Sequence, residues 1–164
     1  MTTGIWRLTE GERSLAMAHA AMAVFGAGLA FSAVLRMGAG AWSGAPLGGY
    51  EVWIIGCGAI GGALALYLCR DRVGQAGPLR AAAAIIFTNL MAAVIAGTLA
   101  LPIYGTMFGP FALVMILAGS PMLGLMWLAN QLAVHLLLAN FHAERDSIFR
   151  AGSVPGTLIT PARV

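Results

Sequence analysis

Residues 79–101 read LRAAAAIIFTNLMAAVIAGTLAL. Beyond Arg80 the stretch carries no charge, and a helix rising about 1.5 Å per residue would take it across the ~30 Å of hydrocarbon in a bilayer. Three further blocks of this kind lie at 14–35, 52–69 and 111–141. The chain around them agrees. Of 164 residues, 60% are hydrophobic and 9% charged, and the mean hydropathy is +0.87. Soluble chains hold about 45–50% apolar and about 25% charged residues, so a water-soluble domain is excluded. The 22 glycines follow no three-residue period and there are only two cysteines, which removes collagen-like and disulfide-stapled frameworks. The expected fold is all-α, an integral membrane four-helix bundle. It forms a single four-span domain over 1–150, with 151–164 as a disordered cytoplasmic tail.

Local signals place the helix ends. In Thr9-Glu10-Gly11-Glu12 the threonine hydroxyl can accept from a backbone N–H three residues on while Glu12 reaches back to the Thr9 N–H, so a helix begins near residue 10. Residues 36–51 form a loop containing Gly, Ser and Pro. Arg70-Asp71-Arg72 ends the second helix, and Gly74, Gly77 and Pro78 make a short turn to the third. Pro102 stops the third block. The uncharged run 102–110 is expected to lie in the interface or dip into the bundle. Ala118-Gly119-Ser120-Pro121 interrupts the long last block, which predicts a kink near 117–121. Beyond it the helix continues through Glu144, Arg145 and Asp146 until Gly152 and Pro155. Arg7, Arg13, the first apolar run and Ala39-Gly40-Ala41 imitate a secretory signal. That run of roughly 22 residues exceeds the about 7–15 of a signal core, however, so the first helix is expected to stay.

Arginine distribution orients the chain, because positively charged loops resist translocation. Arg7, Arg13, Arg70, Arg72, Arg80, Arg145, Arg150 and Arg163 fall on one face, against Arg36 on the other. Both termini are therefore expected in the cytoplasm, with the protein in the inner (plasma) membrane. Trp6 is a headgroup anchor on one side, and Trp42, Tyr50 and Trp53 form an aromatic belt on the other. Although the pI is about 9.4, the arginines never cluster into a patch that could follow phosphates, and nucleic acid is not an expected partner.

No Asp, Glu or Arg lies well inside a span, so the carboxylate on which proton-coupled transport usually turns is missing. The interior polar residues are His19, Asn89, Asn130, Gln131 and His135. On a helical wheel His19 shares a stripe with Ala23, Gly26 and Ala30, and Asn89 one with Ala93, Ala96 and Ala100. Gly124, Trp127, Gln131, His135 and His142 form another. His19 and His135 fall at similar depths, which makes them candidate axial ligands for a haem b; otherwise each is a neutral packing residue. Asn89, Asn130 and Gln131 form a polar strip that serves either as helix glue or as the lining of a passage. His142 and Glu144 read as ordinary surface. Small-residue pairs Gly26/Ala30 and Gly58/Gly62, the row Ala92/Ala96/Ala100 and Gly124 predict close helix approach, within one chain or between copies. Cys57 and Cys69 stand ~18 Å apart along one helix and cannot bond each other. No metal set or catalytic group is recognised.

The expected function is that of a non-enzymatic accessory or assembly subunit of a larger membrane complex. Its partners would be the lipid bilayer and a membrane protein or a second copy of the chain. The alternatives are a small channel or transporter using Asn89, Asn130 and Gln131, and a b-type haem or quinone-associated redox protein using His19 and His135.

Overall fold

The computed structural model describes residues 9–37 and 46–152. Trp6, Arg7, Ala39-Gly40-Ala41, Trp42 and the tail from 153 onward, with Pro155 and Arg163, lie outside the described residues. The described elements are all helices: α1 (Glu10–Met37), α2 (Gly49–Cys69), α3 (Pro78–Ala100), α4 (Gly105–Ala118) and α5 (Pro121–Gly152). Four of them, α1, α2, α3 and α5, are long and apolar enough to cross a membrane.

The ends follow from local chemistry. At α1 the Glu12 N–H donates to Thr9 Oγ1 (3.2 Å) and the Thr9 N–H donates to Glu12 Oε2 (2.9 Å), the reciprocal cap expected from the sequence. Glu51 accepts from the Gly48 N–H at 2.7 Å at the start of α2. Pro78 sits in the first turn of α3, where its missing N–H has no helical partner to lose.

The last apolar block differs from the expected single kinked helix. Gly119 and Ser120 break it completely: Ser120 immediately precedes α5, its carbonyl accepting from the Gly124 N–H at 3.0 Å, and Pro121 occupies the first helical position. Residues 105–110, expected as loop, are the first part of α4, and Pro110 lies inside that helix. Among 102–110 only the turn 102–104 remains non-helical.

At 14 residues, α4 is about 21 Å long, too short to cross ~30 Å of hydrocarbon. Its first residue, Gly105, meets Gly97 near the end of α3, and Gly119 just past its last residue lies beside Arg36 near the end of α1. Both ends of α4 thus sit toward the same end of the bundle, and α4 does not cross it. At the opposite end Glu144 of α5 accepts from the Gly11 N–H of α1, which brings the start of the first helix and the end of the last together.

The core is one-sided along the bundle. Ala18, Met22, Leu66, Val73, Ala84, Val134 and Leu138 form a buried apolar cluster in the half that holds the outer ends of α1 and α5. Helix α1 packs on α2 and α5, α2 on α3, and α3 on α4. Glycine sets these distances. A methyl group on Gly26, Gly58 or Gly62 would overlap the facing backbone of the α1–α2 pair, and one on Gly61 would meet Ala92 and Ala96 of α3. The seams foreseen at these positions therefore join helices of one chain. Gly124 has no such neighbour, its nearest being the Leu117 carbonyl oxygen at 3.8 Å from an added Cβ.

Candidate functional site

The polar strip closes on itself at mid-bundle. Asn89 Oδ1 accepts from Trp127 Nε1 at 3.0 Å and from Gln131 Nε2 at 3.1 Å, while Asn89 Nδ2 donates to the Ile85 carbonyl of its own helix at 2.7 Å. Gln131 Nε2 and Asn130 Nδ2 also approach the Met22 sulfur, at 3.7 and 3.8 Å. Three helices, α1, α3 and α5, therefore meet in one node. Asn89 and Gln131 are buried, and so is Thr88, whose hydroxyl donates to the Ala84 carbonyl at 2.8 Å. Among the described residues no buried side-chain nitrogen or oxygen lacks a partner. The arrangement cross-links α1, α3 and α5 through Met22, Asn89 and Gln131.

The two candidate ligand histidines go to separate partners. Met22 pairs with Gln131 and Gly11 with Glu144, an antiparallel register that sets His19 and His135 at the same height, as their depths predict. Yet His19 Nδ1 donates to the Leu15 carbonyl of its own helix at 2.9 Å, whereas His135 Nδ1 accepts from the Gly74 N–H at 3.3 Å. A neutral imidazole that accepts at Nδ1 carries its proton on Nε2, so His135 presents an N–H there and not a lone pair. In this geometry His135 anchors the α2–α3 turn. Gly74 has φ +86°, a conformation natural to glycine, and a Cβ there would strike Leu138 and Ala139.

His142 and Glu144, read from the sequence as surface, are structural. His142 Nε2 donates to the carbonyls of Arg70 (3.1 Å) and Val73 (3.0 Å), satisfying acceptors left over where α2 ends. Glu144 does the converse for α1, placing a carboxylate at the positive end of that helix. Asp71 lies 3.8 Å from Arg145 and 4.0 Å from Arg70, an exposed pairing of small energetic weight. For His142 a clue was available: it continues the inward α5 stripe beyond the apolar block, one turn past Leu138 and two past His135.

Between the node and the α4 end lies a cavity of about 150 Å³, walled by α1, α2, α3 and α4. Glycine and alanine dominate its wall, with Phe25, Phe108 and Ile116 as larger members. Asn89 and Tyr50 bring the only side-chain oxygen or nitrogen atoms to it. Asn89 has its bonds inward, in the node; Tyr50 lies at the opposite end of the cavity, in the first turn of α2, its hydroxyl donating to the Ala100 carbonyl at 3.4 Å. Neither His19 nor His135 borders the cavity. No set of three or more His, Cys, Asp or Glu suited to a metal ion occurs among the described residues.

Compared with known protein families, curated proteins and solved structures, the chain matches none.

Proposed function

We propose that this chain is a non-enzymatic, multi-pass protein of the inner membrane that serves as an accessory or assembly subunit of a larger membrane complex, with both termini cytoplasmic. The observation that carries this reading is the closed node. Asn89, Trp127, Gln131 and Met22 answer one another, so the interior polar groups hold helices together and offer little to a substrate. A second feature supports a protein partner. Met107, Met115, Met122 and Met126 are all exposed on α4 and α5, and the unbranched thioether adapts to many facing surfaces. Sidedness is supported by Arg70, Arg72, Arg80 and Arg145 lying at the end shared by the start of α1 and the end of α5, against Arg36 at the other.

The test is gentle solubilisation of native membranes followed by native electrophoresis. The expected band is much heavier than the 16.9 kDa chain, and a tagged copy should bring down the same companions; monomer alone would remove the proposal. A second reading, a small transporter, is favoured by the short, non-crossing α4 lying beside a cavity. Under that reading Asn89→Leu with Asn130→Leu should alter flux into liposomes, and unchanged flux counts against it. The level register of His19 and His135 keeps a haem b reading testable in the same pull-down, by a Soret band in the eluate.

A further inference from the structure

The cavity has a length as well as a composition. Its wall runs from Met22 to Ala33 on α1, from Tyr50 to Gly62 on α2 and from Asn89 on α3 to Leu101 just past its end. Each stretch is eleven or twelve residues by subtraction, which at about 1.5 Å per residue is about 17 Å. That is close to half of the ~30 Å of bilayer hydrocarbon, the depth of one leaflet.

Composition decides what can fill it. A buried water needs two to four polar partners. Asn89 has its oxygen and one amide hydrogen engaged in the node, and Tyr50 stands at the far end, so the middle has nothing to hold water. Apolar cavities of about this size stay dry and take apolar guests. The core side chains cannot collapse into it, because the glycines of α1, α2, α3 and α4 already touch backbone to backbone.

Resting on the membrane-spanning reading above, we infer that this cavity seats one acyl chain of a bilayer phospholipid. The chain end lies against Met22 and Asn89, and the headgroup lies at the end where Tyr50 and Arg36 stand. Arg36 is exposed there, its guanidinium 3.4 Å from the Gly119 carbonyl, and supplies the charge that complements a phosphate. Helix α4 closes the outer side of the slot, which gives a non-crossing helix a purpose.

The experiment uses the full chain in phosphatidylcholine–phosphatidylglycerol vesicles containing a phosphatidylcholine tracer with a photoreactive diazirine at either end of one acyl chain. With the group at the chain terminus, adducts are expected around Met22 and Phe25. With the group near the ester, they should move to Ala33 and Tyr50. Filling the slot with Ala33→Phe and Ala112→Phe should lower the Met22 adduct about tenfold, the factor carried by roughly two buried methylenes. Adducts on the outward-facing Leu132 and Leu136 should be unchanged. If the double variant does not fold, the shift of adducts with diazirine position in the unaltered chain still decides. Adducts on Leu132 and Leu136 without any at Met22 overturn the acyl-chain assignment and leave the membrane reading standing. Displacement of the label by an isoprenoid but not by unlabelled phospholipid also overturns it. Absence of labelling everywhere, with release of the chain by carbonate, overturns both.

Discussion

Asn89 takes two N–H donors from α5 on one oxygen, so Asn89→Leu leaves Trp127 and Gln131 without their acceptor inside the bundle. The expected loss is about 1–2 kcal/mol, at the upper end for polar contacts between membrane helices. It would be read as a lower melting temperature in detergent, and a melting curve unchanged by Asn89→Leu would contradict the node. Ile103 presents the opposite case. It holds φ +79° in the turn between α3 and α4 with its side chain exposed, and a β-branched residue is strained there without compensating burial. Ile103→Gly should therefore stabilise by up to about 1 kcal/mol, after allowing for the added freedom of the unfolded chain. The identity of the glue residues was legible, since polar groups on small-residue stripes face other helices. Their partners were not, and His142 was misread because its two acceptors belong to a turn about seventy positions earlier in the chain.

Helix pairs depend on where glycine stands, not on how much of it there is. Gly61→Leu should push α2 from α3, and Gly97→Leu should detach α4, each at a cost of about 1–3 kcal/mol from overpacking. Gly28→Leu and Gly56→Leu meet open space and should leave the melting temperature nearly unchanged. Thermal unfolding of the four variants in one detergent checks the contrast, and equal losses in all four would show that the seams are not where the backbones touch. The α1–α2 seam could be read from i, i+4 spacing. The α3–α4 seam, Gly97 with Gly105 and Gly109, could not, because Pro102, Gly105, Gly109 and Pro110 together read as loop. Pro110 lies one turn into α4, where it removes a single backbone donor without ending the helix.

The whole molecule makes a prediction about sides. In a background of Cys57→Ser and Cys69→Ser, single cysteines at Glu12 and Ser147 should react with an impermeant thiol reagent from the same face of a sealed vesicle. One at Tyr104 should react from the other. Reaction of Glu12 and Tyr104 from one face would break the topology, since α1, α2 and α3 place three crossings between them. Loss of the Glu144 cap is expected to loosen the end where α1 begins. Glu144→Ala should cost about 1 kcal/mol and speed hydrogen exchange in residues 10–13 more than in residues 22–25.

Composition and block length by themselves determined that the chain is helical with four apolar spans. They also determined where α1 begins, because hydrocarbon demands internally bonded backbone and a cap is a contact between neighbours in sequence. The split of the last block into α4 and α5, the placing of both ends of α4 toward one end of the bundle, and the slot between α1 and α4 were decided only in three dimensions. Each depends on which glycines face each other across helices far apart in the chain, and a single sequence records spacing along a helix but not the angle at which two helices meet.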